Sequence, residues 1–293
     1  MKICVPATSA NLGPGFDTLG LAISLHNQVS IKPSKFHSVS LKGEGSNNPV
    51  LKDNNMFIAI FNDFYHNLSN RKRHFRFEFT NEIPLSRGLG SSSAVIVSAI
   101  ASAYAIEGIQ IEKEKLLNLA LAYESHPDNI TPAVMGGFNV ATVQDNEVKF
   151  INKNMPKSLK AIVVIPNRPI STQLARKALP YKYSKEDTIF NISHSSLLAS
   201  AFISEDWKML KVASQDKVHQ KYRMKQMPEL FDVQKTALKN GALMSTLSGS
   251  GSTLFSIAFN DDAHRIEKEL KKRFPHFKVL TRDFDNAGVT VEY

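Results

Sequence analysis

The sequence predicts an α+β protein, and two observations predict it. The chain ends in the order strand, strand, helix, strand (242–247, 253–259, 262–274 and 278–283), which suits an antiparallel sheet covered by helices. Its first half mixes short strands with a long apolar helix at 94–106, and a polar stretch at 144–157 separates that half from the rest.

Apolar runs and alternation mark strands at 2–5, 19–25, 28–32 and 75–80. Residues 94–106, rich in Ala, Val and Ile, read as a buried helix, and 111–124 read as a second. Thr131 reads as the N-cap of a short helix with Pro132 at its first position, closed by Gly136-Gly137 and followed by a strand at 138–143. The polar stretch contains Asp145-Asn146 and is the expected boundary between an N-terminal domain, 1–150, and a C-terminal domain, 151–293. An apolar strand at 161–165 restarts the pattern, and helices are expected at 172–178, 187–203, 207–214 and 229–240. Neither an internal repeat nor a low-complexity tract is visible.

At 293 residues, 42% hydrophobic and 22% charged, the chain has the length and composition of a globular protein with a substantial core. A lone cysteine, Cys4, excludes an intrachain disulfide framework and points to a reducing cytoplasm. The N-terminus runs straight into a strand with no signal-peptide pattern, and the most apolar run, 94–106, is too short to span a bilayer. The formal charge of +9 is scattered, apart from Arg71-Lys72-Arg73-His74 and Lys271-Lys272-Arg273, which read as solvated faces. No nucleic-acid module is recognisable; a positive balance also steers anionic small molecules. The expected partner is therefore a small molecule, with neither nucleic acid nor membrane.

The most informative stretch is Pro84-Leu85-Ser86-Arg87-Gly88-Leu89-Gly90-Ser91-Ser92-Ser93-Ala94, a glycine loop running into the start of the long helix. Gly88 and Gly90 let backbone approach a ligand closely, and the helix N-terminus offers unpaired N–H groups and a positive dipole end to phosphate. Ser91, Ser92 and Ser93 add hydroxyls for phosphate oxygens or Mg²⁺. The absence of a lysine after the glycines excludes a P-loop, and Glu107, at a helix end, does not supply the acidic residue of a dinucleotide fingerprint. Alone, the loop also admits a plainer reading as a serine-rich helix cap after an ordinary turn, less favoured than a phosphate site. It is not alone: Pro6-Ala7-Thr8-Ser9-Ala10-Asn11-Leu12-Gly13-Pro14-Gly15-Phe16-Asp17 precedes it and Leu247-Ser248-Gly249-Ser250-Gly251-Ser252-Thr253 follows it.

These three glycine loops, in this order and separation, resemble the three motifs of the GHMP kinase superfamily. Within it, the first motif and His126-Pro127-Asp128-Asn129 are most similar to those of the homoserine kinases, a likeness that runs over essentially the whole chain. The resemblance implies a two-domain α+β GHMP kinase fold, with an N-terminal domain like the second domain of ribosomal protein S5 and a ferredoxin-like C-terminal domain. The strands and helices above are compatible with that architecture and do not by themselves specify it. It further implies ATP with Mg²⁺, L-homoserine as the phosphoryl acceptor, and a homodimer.

Phosphoryl transfer asks a protein mainly for positioning and charge neutralisation, so a carboxylate should face the phosphate loop. Leu117, Leu121 and Glu124 share one face of the expected second helix, which makes Glu124 the candidate; a solvated glutamate at a fraying helix end fits the spacing as well. By resemblance Glu124 matches the family's magnesium-binding glutamate, with Ser92 as hydroxyl partner. Pro127 keeps His126 out of helical geometry, and the resemblance puts His126 and Asn129 near the substrate hydroxyl, in a loop. Asp128 reads on sequence as a turn-capping residue. The general base stays open between an aspartate, as proposed for several GHMP kinases, and direct proton loss to the γ-phosphate.

An amino-acid substrate needs a cation for its carboxylate and an anion for its ammonium. By resemblance, Thr172, Arg176 and Arg223 sit on the substrate side, with Asp17 and Asn11 contacting its amino group and hydroxyl. Taken singly, the arginines read as surface residues, and Asn11 and Asp17 as turn chemistry around Gly13-Pro14-Gly15. Gly249, Ser250 and Gly251 are carried over as a supporting loop; a plain glycine-serine hairpin is the alternative, for which the loop's length is unusual. Arg87 and Ser93 depart from residues common in relatives, but neither removes a glycine, so ATP binding is expected to persist. The alternatives are a mevalonate-type kinase, against which Asp17 beside two arginines argues, and a non-catalytic scaffold, which loss of Glu124 or of the glycines would have favoured.

Overall fold

A computed structural model describes residues 1–69, 71 and 73–293, apart from the side chains of residues 52, 53 and 172. Lys72 of the first basic run therefore lies outside the described residues, as does the side chain of Thr172. Eleven strands are present among the described residues: β1 (Lys2–Ala10), β2 (Leu19–Ser34), β3 (Ser38–Gly43), β4 (His74–Asn81), β5 (Phe138–Gln144), β6 (Glu147–Lys153), β7 (Leu159–Ile165), β8 (Met244–Leu247), β9 (Leu254–Phe259), β10 (Lys278–Arg282) and β11 (Thr290–Glu292). The helices are α1 (Val50–Asp53), α2 (Met56–Leu68), α3 (Ser91–Ile106), α4 (Lys113–Leu121), α5 (Pro127–Met135), α6 (Thr172–Lys177), α7 (Lys185–Ser204), α8 (Leu210–Ala213), α9 (Gln220–Met224), α10 (Glu229–Lys239) and α11 (Asn260–Arg273).

A seven-stranded sheet runs β11-β1-β2-β4-β3, with β5 joining β2 and β6 joining β5; a four-stranded antiparallel sheet runs β10-β7-β9-β8. The chain passes from the first sheet to the second between Lys153 and Leu159, and β11 returns to the first against β1. Strand β7 explains why the two layers share interior. Its residues Ala161, Val163 and Ile165 enter the larger core, while Ile162 and Val164 enter the smaller one beneath α10 and α11. Burial on both faces is why this strand reads as an unbroken apolar run rather than an alternation.

Helix α3 packs on β1 and β2, with α2 and α5 beside it. It is buried almost all round, and its two mid-helix serines are satisfied locally: Ser98 donates to Val95 O and Ser102 to Ser98 O. Helix α11 buries Ala263, Ile266 and Leu270 along one stripe, with Asp261 and Asp262 in its first turn and Lys271, Lys272 and Arg273 in its last. The second basic run thus complements the helix dipole.

Several expectations need correcting. The strands expected at 19–25 and 28–32 are one 16-residue strand, β2; a shift of register between Pro6/Ala7 and His26/Ile23 bulges it and masks its alternation. The first strand continues through Ala10, carrying half of the first motif into the sheet. Helix α5 begins at Pro127, not at Thr131: His126 is its extended N-cap residue, and Pro127 takes the first position, where a missing N–H costs nothing. Pro132 lies inside the helix, and the Asp128 carbonyl that it cannot bond sits where a Cβ on Gly20 would fall, 1.9 Å away. Thus 126–129 is a helix start and not a loop. Helix α4 stops at Leu121, so Glu124 lies beyond its end, in a turn closed by the Glu124 N–H to Ala120 O. Elements β3, α1, α2, β6, α9 and β11 were not expected; β6 lies within the polar stretch 144–157.

Candidate active site

The N-termini of α3 and α5, the turn after β1, and the β8–β9 connection meet around a cavity of about 650 Å³. The glycine loop forms one wall. Gly88 and Gly90 have φ of +75° and +68°, and a Cβ on them would come within 2.1 Å of Ser248 O and 1.9 Å of Thr8 Oγ1. Only glycine satisfies both the backbone and the space. Helix α3 has Gly90 as N-cap with no side-chain cap, so its first-turn amides stay available at the cavity wall formed by Ser91, Ser92 and Ser93.

The third loop is clamped between the other two. Ser248 Oγ donates to Gly88 O at 2.6 Å, the Thr253 N–H to Arg87 O at 3.1 Å and the Gly249 N–H to Ala10 O at 3.1 Å. The Gly249 carbonyl accepts from Asn11 Nδ2 and from Arg223 Nη1, both at 3.0 Å. Arg87 donates to the carbonyls of Leu85, Pro166 and Asn167, which ties the glycine loop to the end of β7.

At the other side, Asp17 (φ +55°) receives Arg176 through two bonds, Nη2 to Oδ1 at 2.8 Å and Nη1 to Oδ2 at 3.2 Å. Asn11 holds Asp17 from behind, accepting its N–H at 3.0 Å. Arg223 is buried, 3% exposed, which overturns the surface reading. Besides Gly249 O it contacts Ala175 O at 3.4 Å and His219 Nδ1 at 3.3 Å, and His219 Nε2 donates to Gly13 O at 2.8 Å. His219 is thereby a neutral tautomer wedged between two loops, its pKa lowered by burial. Burial, then Arg176, bring the Arg223 pKa down to about 10, and Asp17 opposes them; the guanidinium stays charged at neutral pH. The Phe16 ring lies under both arginines, 5.4 Å from Arg176 and 5.1 Å from Arg223.

His126 stands 3.9 Å from Glu124 and 3.6 Å from Asp17; the Glu124 carboxylate, with Asp17, raises its pKa against burial. Asp128, in the first turn of α5, is 4% exposed, and burial followed by the Asp17 charge pushes its pKa up to about 7. Asn129 accepts from Thr8 Oγ1 at 2.8 Å and approaches Asp128 Oδ1 with its Nδ2 at 3.4 Å.

Of the residues expected from sequence, Asn11, Asp17, the loop from Pro84 to Ser93, Glu124, His126, Asn129, Arg176, Arg223, Gly249 and Ser250 all line this one cavity. Ala94 does not: it is fully buried, and its N–H closes the first α3 turn on Gly90 O. Gly251 is also set back from the lining, and the Thr172 side chain is outside the described residues. Sequence reasoning missed the apolar part of the lining, Val29, Leu41, Leu51, Phe57 and Phe79, together with Asn48 and Asn55. The signal was the amphipathic run of α2 with Asn55 as its N-cap, accepting from the Phe57 and Ile58 N–H groups. Thr8 and Asp128 were visible only as members of motifs.

The model of the GHMP kinases N terminal domain matches residues 55–137, and that of the GHMP kinases C terminal matches residues 198–276. The chain is 80% identical to the homoserine kinase of Aliarcobacter butzleri, with 100% of both chains covered, and 62% identical to that of Nitratiruptor, again with 100% of both covered. The crystal structure of homoserine kinase from Cytophaga hutchinsonii matches at a TM-score of 0.88 and 26% identity, covering 99% of this chain and 96% of that one. The cavity that joins an uncapped helix N-terminus to a paired carboxylate and two arginines, together with this full-length identity, establishes that the chain belongs to the homoserine kinase family of the GHMP kinases.

Proposed function

We propose that the protein transfers the γ-phosphoryl group of ATP to the side-chain hydroxyl of L-homoserine, giving O-phospho-L-homoserine and ADP, in threonine biosynthesis. The observation that carries this reading is the polarity of one cavity. Its glycine loop offers backbone amides and serine hydroxyls to phosphate, while the same lining sets Asp17 beside Arg176 with the buried Arg223, an anion and two cations for a zwitterion.

In this reading the apolar end lined by Phe57 and Phe79 receives the nucleotide base, and the amides at the start of α3 hold the phosphates. Ser92 and Glu124 both line the cavity and supply hard oxygen ligands, which is the donor set Mg²⁺ takes when phosphates complete its shell. Held by these two residues, Mg²⁺ would supply charge neutralisation to the phosphates. Substrate binding must loosen the two-pronged Arg176–Asp17 pair, after which Arg176 faces the substrate carboxylate and Asp17 its ammonium. Asn129 and His126 hold the hydroxyl in line. Asp128, its pKa pushed up to about 7 by burial, carries less than its full charge near neutrality in the free protein. No group is assigned as general base. A reducing cytoplasmic setting suits the lone Cys4, and a homodimer is the expected assembly; no described helix is long and apolar enough to cross a membrane.

An assay of ADP release from Mg²⁺-ATP, with L-homoserine, L-serine, L-threonine and mevalonate offered separately, tests the reading. Selective turnover of L-homoserine is the expected result. Turnover of mevalonate alone, or of none while ATP binds, overturns it.

A further inference from the structure

We propose that Thr8 is a positioning residue that locks the side-chain amide of Asn129 with its NH₂ group toward the cavity, so that Asn129 meets the substrate hydroxyl only as a hydrogen-bond donor. The proposal rests on the functional reading above for the identity of that hydroxyl, and on the geometry alone for the lock.

Thr8 is 0% exposed and does not line the cavity, so it can act only through its neighbours. Its position is over-determined. Its backbone N–H donates to Leu89 O at 3.1 Å, and its hydroxyl occupies the space that a Cβ on Gly90 would need. From there the hydroxyl gives its one hydrogen to Asn129 Oδ1 at 2.8 Å. The same Oδ1 lies 3.3 Å from the Gly90 Cβ position, which places the carbonyl end of the amide against the glycine loop. A hydroxyl can donate or accept, so two contacts together decide which way the amide faces: turned over, it would take away the acceptor to which the Thr8 hydroxyl donates and set its carbonyl oxygen where Nδ2 now stands, 3.4 Å from Asp128 Oδ1. The Nδ2 group is then turned to Asp128 Oδ1 at 3.4 Å, with its second hydrogen left for a ligand in the cavity.

The consequence is chemical. An amide that presents N–H accepts no proton, so Asn129 holds the attacking oxygen by a lone pair while that oxygen's own hydrogen points elsewhere. Without the Thr8 hydroxyl the amide is free to turn over and present its carbonyl, which would draw the hydroxyl hydrogen inward and misdirect the lone pair.

The test compares Thr8→Val, Thr8→Ala and Thr8→Ser with the parent protein. Thr8→Val keeps the shape and removes the hydroxyl; kcat should fall by roughly tenfold, while the KM for homoserine moves much less. Thr8→Ala reports the same loss should valine prove too crowded to fold, and Thr8→Ser, which keeps the hydroxyl, should recover most of the turnover. Combining Thr8→Val with Asn129→Ala should cost no more than Asn129→Ala alone. Effects that multiply, or a serine variant as slow as valine, overturn the lock. The Asn129 side-chain amide, followed by ¹⁵N NMR in ligand-free protein, gives a readout without substrate. A single, slowly exchanging NH₂ pair is expected in the parent and Thr8→Ser, and broadened or doubled signals in Thr8→Val. An identical spectrum in Thr8→Val overturns the lock, even where turnover of homoserine has been shown. Absence of homoserine turnover in the parent removes instead the functional reading and leaves the amide result to stand or fall alone.

Discussion

Arg223 shows how a residue that looks like surface comes to be buried in the wall of a cavity. Its guanidinium is buried under Phe16 and joined to Gly249 O. Arg223→Ala should raise the KM for homoserine by about 10- to 100-fold, the value of a lost charge-assisted hydrogen bond, and leave the KM for ATP much less affected. An unchanged homoserine KM would return Arg223 to a purely structural role. Glu124, as the proposed magnesium ligand, should behave in the opposite way: Glu124→Gln is expected to lower kcat on the order of 100-fold with little change in homoserine binding. Steady-state kinetics separates the two. Asp128 carries a pH signature. With its folded pKa pushed up to about 7, the native state keeps a proton that the unfolded chain releases near the ordinary aspartate value. The native state thus binds more protons between about pH 4 and pH 7, and stability must fall as pH rises through that window, by an amount on the order of a few kcal/mol. Thermal denaturation across this range should show a smaller downward slope of Tm for Asp128→Asn; equal slopes would mean that Asp128 is not held protonated.

At the scale of elements, the glycine loop is shaped as much by what packs behind it as by its own composition. Gly90 caps α3 in a left-handed conformation and faces Thr8 of β1, while Gly88 faces Ser248 of the third loop. Gly90→Ala should therefore destabilise the protein by about 1 kcal/mol from backbone strain, with a further cost from displacing the Thr8 hydroxyl. The check is a lowered Tm together with a loss of turnover in the folded variant. An alanine variant with parental Tm and kcat would show that the loop relaxes freely. Helix α5 makes the same point. Pro127 and the extended His126 set where it starts, and that start delivers His126, Asp128 and Asn129 to one cavity.

At the scale of the whole molecule, two sheets share one interior. Phe202 of α7 stacks on Phe138 of β5, with ring centroids 4.1 Å apart, and Trp207 meets Phe202 edge-on at 5.9 Å. Both phenylalanines belong to the larger core, which also takes one face of β7. Phe202→Ala should cost about 3–5 kcal/mol. Because the core is continuous, unfolding followed by the single tryptophan and by far-UV circular dichroism should coincide in the parent and in the variant. Separate transitions would show that the two sheets unfold independently.

Periodicity and turn chemistry, which are local, placed most helices and central strands, and spacing placed the three glycine loops. Asp17, Arg176 and Glu124 were named through the family resemblance, because taken singly they read as turn or surface chemistry. The strand β6 and the bulge in β2 were not legible, since charged edges and a register shift both break alternation. The end of α4 was misplaced because its apolar spacing continues past the last helical hydrogen bond. By itself, then, the sequence determined a mixed fold, a glycine loop at a helix start and the family to which both point. Only the tertiary structure decided that Arg223 is buried, that Arg87 binds carbonyls, that Asp128 is driven toward neutrality and that Thr8 governs Asn129. Each of these depends on contacts between residues far apart in the chain, and burial, which sets the strength of a charge or a hydrogen bond, exists only once those segments meet.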